Sequence, residues 1–306
     1  MQVVEVQSLY KQYESIQALD NLSFTMDGGA VGLLGPNGAG KSTLIKILLG
    51  FLPPTSGEAS LFGLDVRSHS LQIRQKIGYM PENESFLPGM TAVSYVRLAG
   101  RLVGMNSREA MQRTHMVLNH LGMGEERYRN IEGYSSGMKQ KVKFAQALVH
   151  HPQLLLLDEP TSGLDPHARE EMLGIIREVA HGKGIHVLLS THILPDVEAV
   201  CDSLVILDKG RKVIQDKIQN LISTADQFQY ELRIDGDESA FRTFLGNRGV
   251  IVEEKEGGIL LVTLPGGEEG TNVLFLAARD TGVQIRHLAH PRKRLDEFFA
   301  EQVVRT

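Results

Sequence analysis

Apolar and polar residues alternate in two short segments near the start of the chain, Val3 to Val6 and Leu22 to Met26, the spacing of half-buried strands that pair antiparallel. The pattern then becomes a continuous apolar run, Ala30-Val31-Gly32-Leu33-Leu34. A glycine-rich loop follows, then a helical run from Ser42 to Leu49 that closes at Gly50 before Pro53-Pro54. Two later runs, Leu154 to Leu157 and His186 to Leu189, are apolar throughout or nearly so, which predicts strands covered on both faces in a parallel sheet. Between them Pro166 opens a helix that reaches about Ala180 and stops at Gly182 and Gly184. From Phe86 to His150 the apolar residues recur at helical spacing with no strand among them, and Thr91 and Ser107 are placed as N-caps. This stretch reads as a helical insertion. Beyond about Thr224 the texture changes to alternating strands, Tyr230 to Ile234, Val250 to Glu254 and Ile259 to Leu264, with helices at Ser239 to Gly246 and Asn272 to Asp280. A small α+β domain of the βαββαβ kind is expected there. The cluster Arg292-Lys293-Arg294 reads as solvated surface.

Composition narrows the function classes. A net charge of −5 gives no electrostatic footprint for nucleic acid, so no nucleic-acid partner is expected. The single cysteine, Cys201, cannot form an internal disulfide, and Met1 leads directly into a strand pattern with no apolar leader, so the expected compartment is the cytoplasm. No apolar run approaches the roughly 18 to 20 residues of a membrane span.

The glycine loop carries the sharpest chemistry. Gly35-Pro36-Asn37-Gly38-Ala39-Gly40-Lys41-Ser42-Thr43 fits G-x-x-x-x-G-K-[ST] between a strand and a helix, the context the motif requires. Its glycines let backbone N–H groups wrap phosphate oxygens, Lys41 reaches the β and γ phosphates, and the Ser42 hydroxyl coordinates Mg²⁺. Asp158 and Glu159 follow the run of leucines at 154 to 157, at the strand end where open α/β sheets place their ligand crevice. Asp158 suits a Mg²⁺ ligand acting through water, and Glu159 a general base for the attacking water. His192 ends another apolar strand and reaches the same sheet edge, as a hydrogen-bond donor to the γ-phosphate or the water. Tyr134-Ser135-Ser136-Gly137-Met138 has the local chemistry of a second anion site, where Ser135 and Ser136 can cap a helix from about Met138 to Val149; read alone, an ordinary capped helix accounts for it.

With these motifs on the page, residues 1 to 220 or so resemble the nucleotide-binding subunit of an ATP-binding cassette (ABC) transporter. The Walker A loop matches 35 to 43, Walker B matches 154 to 159, the D-loop matches Ser162-Gly163-Leu164-Asp165, and the switch histidine falls on His192. The signature LSGGQ falls on residues 134 to 138, with only Ser135 and Gly137 matching strictly. The Q-loop glutamine corresponds to Glu82, an acid where the family has an amide. Tyr13, after Lys11-Gln12, matches the aromatic residue that stacks on adenine, with Tyr10 as the alternative. The resemblance implies a P-loop α/β fold of ABC type with an antiparallel β subdomain, a helical subdomain over about 86 to 150, and a small C-terminal α+β domain at 225 to 306. It implies ATP and Mg²⁺ as cofactors, with Ser42, Asp158 and Glu82 at the metal. It also implies a head-to-tail dimer, expected to be a homodimer, in which Ser135, Ser136 and Gly137 of one subunit and Asp165 complete the site of the other. The remaining implied partner is a separately encoded polytopic permease whose coupling helix meets the region near Glu82 and Phe86 to Met90, which would hold the chain on the inner face of the cell membrane. A tail such as Arg294-Leu295-Asp296-Glu297-Phe298-Phe299 is similar to the exporter branch. The other class weighed, a soluble ABC ATPase of repair or ribosome type, would carry a long coiled-coil insertion or a second cassette, and neither is in this sequence. The C-terminal domain reads equally as a regulatory or dimerisation element and as a packing extension.

Overall fold

A computed structural model describes residues 2–182, 184–223, 229–255, 258–264 and 270–289. The Arg292 to Arg294 cluster and the tail to Phe299 lie outside the described residues. The chain divides into two compact units, Met1–Ile218 and Gln219–Thr306.

The first unit begins with an antiparallel hairpin, β1 (Val4–Tyr13) and β2 (Ile16–Met26). Both strands are longer than their alternating segments, because register shifts between Val6 and Leu9 and between Leu9 and Lys11 break the period of two. After β3 (Ala30–Leu34) and α1 (Lys41–Leu48), the chain forms β4 (Ser56–Leu61) and the short β5 (Leu64–Asp65), which extend the hairpin into a four-stranded sheet of order β2-β1-β4-β5. Helix α1 ends in a Schellman motif: Phe51 N–H donates to Lys46 O and Gly50 N–H to Ile47 O, with Gly50 at φ 68°.

A second, six-stranded sheet collects the rest of the unit. Its strands are β3, β6 (Ile77–Met80), β7 (Leu154–Asp158), β8 (His186–Thr191), β9 (Ser203–Asp208) and β10 (Arg211–Lys217), in the order β10-β9-β3-β8-β7-β6. All neighbours run parallel except β10, an antiparallel edge on β9. The sheet is therefore mixed, where the apolar runs alone predict a purely parallel one. Leu154 to Leu157 are fully buried, and each such leucine contributes about 1.5–3 kcal/mol over leaving it in water. The register Leu34↔Thr191 and Asp158↔Ser190 brings the C-terminal ends of β3, β8 and β7 side by side.

The helices of this unit are α2 (Ser70–Lys76), α3 (Ala92–Leu102), α4 (Ser107–His120), α5 (Ser136–Leu148), α6 (Pro166–Gly182) and α7 (Leu194–Val200). Thr91 caps α3 as expected, its side chain accepting from Ser94 N–H. The cap of α4 is Asn106 rather than Ser107. Asn106 Oδ1 accepts from Glu109 N–H at 2.9 Å and its amide donates back to Glu109 at 3.2 Å, a reciprocal box that leaves Ser107 as the first helical residue. Cys201, buried just past α7, has its thiol pushed well up by burial, with Asp202 and Asp196 adding to the shift.

In the second unit α8 (Ile218–Ser223), which straddles the division, precedes β11 (Gln229–Asp235), α9 (Glu238–Gly246), β12 (Ile251–Lys255), β13 (Ile259–Thr263), α10 (Gly270–Thr281) and β14 (Gln284–Ala289). This is the βαββαβ order, closing an antiparallel sheet β12-β13-β11-β14 over a core that includes Leu232, Phe241, Leu260, Val262 and Leu274.

Candidate functional site

The aligned ends of β3, β8 and β7 decide where the chemistry collects. A pocket of about 580 Å³ there is lined by Asn37 to Thr43, Glu82, Glu159 and His192, with Tyr13, Ile16, Gln17, Ala18 and Ser162. Tyr13 lines it and is 40% exposed, whereas Tyr10 does not; Lys11 Nζ stands 5.1 Å from the Tyr13 ring. Ile16, Gln17 and Ala18 come from the start of β2, and only the pairing of the hairpin reveals them.

The loop from Gly35 to Gly40 is pressed between backbone segments. A Cβ on Gly35 would lie 2.4 Å from Leu207 O, and one on Gly40, at φ 99°, would lie 2.5 Å from Ala18 O. Only glycine fits at either place. Gly40 is also the N-cap of α1, so the free N–H groups of that helix open into the pocket. The Lys41 side chain folds back along the loop: its buried ammonium donates to Gly35 O at 2.7 Å and Pro36 O at 3.2 Å. Gly35 and Pro36 thus anchor the lysine rather than line the pocket. Lys41 Nζ is also 3.5 Å from Glu159 Oε1.

Glu159 has a backbone φ of 49°, a strained left-handed value for a residue with a Cβ, and its N–H is fastened to Ser190 O at 2.9 Å. Its Oε2 takes a 3.0 Å bond from His192 Nδ1. Its Oε1 is buried and has no hydrogen-bond partner. A buried carboxylate oxygen that accepts no hydrogen bond and has only the Lys41 charge at 3.5 Å beside it keeps its lone pairs for a donor. With Nδ1 donating to Glu159, the other ring nitrogen of His192 donates to an anion only in the imidazolium form.

Asp158 lies behind the pocket, 3% exposed, accepting from Ser190 Oγ at 2.9 Å and from the Ser42 hydroxyl. Burial pushes its carboxyl above the ordinary range, the serine hydroxyls and Lys41 pull the other way, and Glu159 pushes it further up. A buried carboxylate beside a serine hydroxyl is a hard-oxygen pair that suits a divalent cation such as Mg²⁺. With its pKa raised in the folded state, Asp158 binds more protons folded than unfolded, so its contribution to stability falls as pH rises from 3.8 through the folded value. At neutral pH that cost is in force. Asp158→Asn, which keeps one acceptor oxygen and can donate its amide N–H to the second serine hydroxyl, is therefore expected to raise the melting temperature of the nucleotide-free protein while lowering Mg²⁺-dependent turnover. Scanning calorimetry at pH 7 and an ATPase assay check the two halves.

The second anion-binding helix start is elsewhere. Ser135 caps α5, its Oγ accepting from Met138 N–H at 3.3 Å, and Ser136 is the first helical residue rather than a second cap. Tyr134 is buried, its hydroxyl donating to Glu126 O and Arg129 O. Asp165 caps α6 by accepting from Ala168 N–H at 3.0 Å. None of Ser135, Ser136, Gly137 and Asp165 lines the pocket of their own chain, and Ser135, Ser136 and Asp165 face solvent. Lys143, passed over in the sequence, is 1% exposed and donates to Glu82 O at 2.7 Å. Burial pulls its pKa down to about 8 against the upward pull of Glu84, Glu82 and Asp158.

Comparisons with known proteins agree with this geometry. The family model of the ABC transporter matches residues 19–162. The uncharacterized ABC transporter ATP-binding protein YxlF of Bacillus subtilis is 42% identical over 72% of this chain and 72% of its own. The daunorubicin/doxorubicin resistance ATP-binding protein DrrA of Streptomyces peucetius is 32% identical over 97% of this chain and 91% of its own. Among solved structures, the cassette MJ0796, as a post-hydrolysis dimer bound to ADP and phosphate, superposes with a TM-score of 0.65 at 25% identity, covering 70% of this chain and 98% of that one.

Proposed function

Starting from the fact that this chain belongs to the ABC transporter family as an ATP-binding subunit, we propose residue roles for the pocket at the ends of β3, β8 and β7. The chain is an ATPase that powers a membrane transporter of the export type. The N–H groups of Gly38 to Thr43 cradle the phosphates, Lys41 neutralises the β and γ oxygens, and Tyr13 stacks on the base. Glu159 takes a proton from the attacking water through Oε1, and His192 holds Glu159 in place through Oε2. Ser42 and Asp158, with Glu82 at the pocket wall, would hold Mg²⁺, which when bound offsets phosphate charge. The observation that carries the reading is the buried Glu159 Oε1, which accepts no hydrogen bond and stands 3.5 Å from Lys41 Nζ, on a residue that lines the same pocket as the phosphate loop.

The exposed start of α5 and the Asp165 turn supply what that pocket lacks, so a second copy, packed head to tail, completes each site. No helix among the described residues is long and apolar enough to cross a membrane. The permease, which spans the membrane and holds this chain on its inner face, takes a separate apolar hollow of about 600 Å³ bordered by Phe51, Leu71, Leu87 and Leu102, each more than half exposed. The unit from Gln219 onward acts as an accessory domain.

The test is to tag the chain in its host, solubilise membranes in mild detergent with ATP and Glu159→Gln, and identify what copurifies. A polytopic membrane protein in stoichiometric amount is expected, and its absence would overturn the reading. Adding Leu71→Asp removes apolar contact in the first turn of α2, where a negative charge suits the helix dipole. Recovery of the membrane protein should then fall about tenfold or more, the loss of one anchor residue, with the melting temperature unchanged.

A further inference from the structure

Helix α5 carries a stripe of polar side chains besides the cap at its start. Lys139, Lys143, Gln146 and His150, just past its end, bond in order to Glu84 Oε2 at 2.9 Å, Glu82 O at 2.7 Å, Tyr79 O at 3.4 Å and Ile77 O at 3.0 Å. Spacings of four, three and four residues keep these groups on one helix face. Their acceptors run along β6 and into the loop after it. The helix therefore covers one edge of the six-stranded sheet, approaching so closely that a Cβ on Gly78 would lie 2.1 Å from Ala147 O.

Lys143 stands apart from the other three. An ammonium 1% exposed is costly where a methionine of similar length would not be. What it holds is the backbone of Glu82, the residue whose side chain lines the nucleotide pocket.

We propose that Lys143 is a positioning residue for ATP turnover: its buried ammonium fixes the Glu82 loop, sets the Glu82 side chain in the pocket, and ties that loop to α5, the helix that Ser135 caps. The proposal rests on the reading of the pocket as the ATP site. A shift of Glu82 on nucleotide binding then reaches α5 through one direct bond. Lys139, one turn earlier, reinforces the tie through Glu84 from the exposed side.

The test is a double-mutant cycle on the full-length chain, with Lys143→Met, Glu82→Ala and the pair, reading kcat and KM for ATP. Lys143→Met should lower kcat about tenfold with KM changed less than about threefold, since misplacing a pocket group costs turnover before affinity. In the Glu82→Ala background the same change should cost less than about twofold, because its effect passes through Glu82. Equal losses in both backgrounds would mean that Lys143 only packs the helix, and no loss would mean that it positions nothing; either overturns the proposal. Should Lys143→Met fail to fold, Lys143→Gln, which stays polar but ends one bond short of Glu82 O, enters the same cycle with the same outcomes. A wild-type chain that neither binds nor hydrolyses ATP would instead sink the ATP-site reading, and this proposal with it.

Discussion

Glu159→Gln is expected to lower ATP turnover by about 10²- to 10⁴-fold, the usual contribution of a positioned general base, with ATP affinity retained. The reason is local. Glutamine keeps an oxygen for the bond from His192 Nδ1 and keeps the volume, so the pocket wall at Oε2 is preserved. What it loses is the basicity of Oε1, the oxygen that accepts no hydrogen bond. It also removes a negative charge 3.5 Å from Lys41, the residue proposed to neutralise the β and γ oxygens. The bound state should accordingly live longer, and size-exclusion chromatography with ATP should move the variant to the dimer position. Unchanged turnover would remove Glu159 from the reaction.

Lys41→Ala should fail at an earlier step. Truncating the charged partner of a buried phosphate contact costs about 2–5 kcal/mol, or about 30- to several-thousand-fold in Kd. Equilibrium binding of a fluorescent ATP analogue reads the loss directly. Part of the effect lies in the empty pocket, where the alanine leaves Gly35 O and Pro36 O without the ammonium that now ties both ends of the loop together. Thr43→Ala, on the same loop without such a tie, separates the two contributions. The two variants thus divide the site: loss at Lys41 is loss of binding, and loss at Glu159 is loss of chemistry.

The parts of this molecule legible in the sequence are those where a single local rule acts alone. The run Leu154 to Leu157 reads as a strand buried on both faces and is one, and Gly35 to Thr43 after an apolar strand reads as a phosphate loop. The hairpin β1–β2 was harder because its bulges interrupt the alternation, and β10, with the polar pattern Arg-Lys-Val-Ile-Gln-Asp-Lys, gives little sign that it completes a sheet edge. At Asn106 and Ser107 two good caps compete, and the reciprocal bond with Glu109 decides for asparagine. Within the site, Lys143 reads as one more solvated lysine in a basic helix. The signal that would have found it is the stripe at 139, 143, 146 and 150, which places lysine, glutamine and histidine on the face that meets β6. Ile16 to Ala18 carry no such signal, because only tertiary pairing brings the β2 start beside the loop.

Cys201 offers a practical consequence. Reaction with maleimides and methanethiosulfonates requires a thiolate, and the one thiol of this chain is both enclosed and held protonated by its surroundings. The wild-type background is therefore expected to label slowly with these reagents in the folded state. A single cysteine introduced at an exposed site can carry a spin label or fluorophore without first removing the native one, so the separation between two copies can be followed through a turnover cycle. Conversely, the moment Cys201 becomes alkylated marks the opening of the core around β9, giving an internal clock for unfolding.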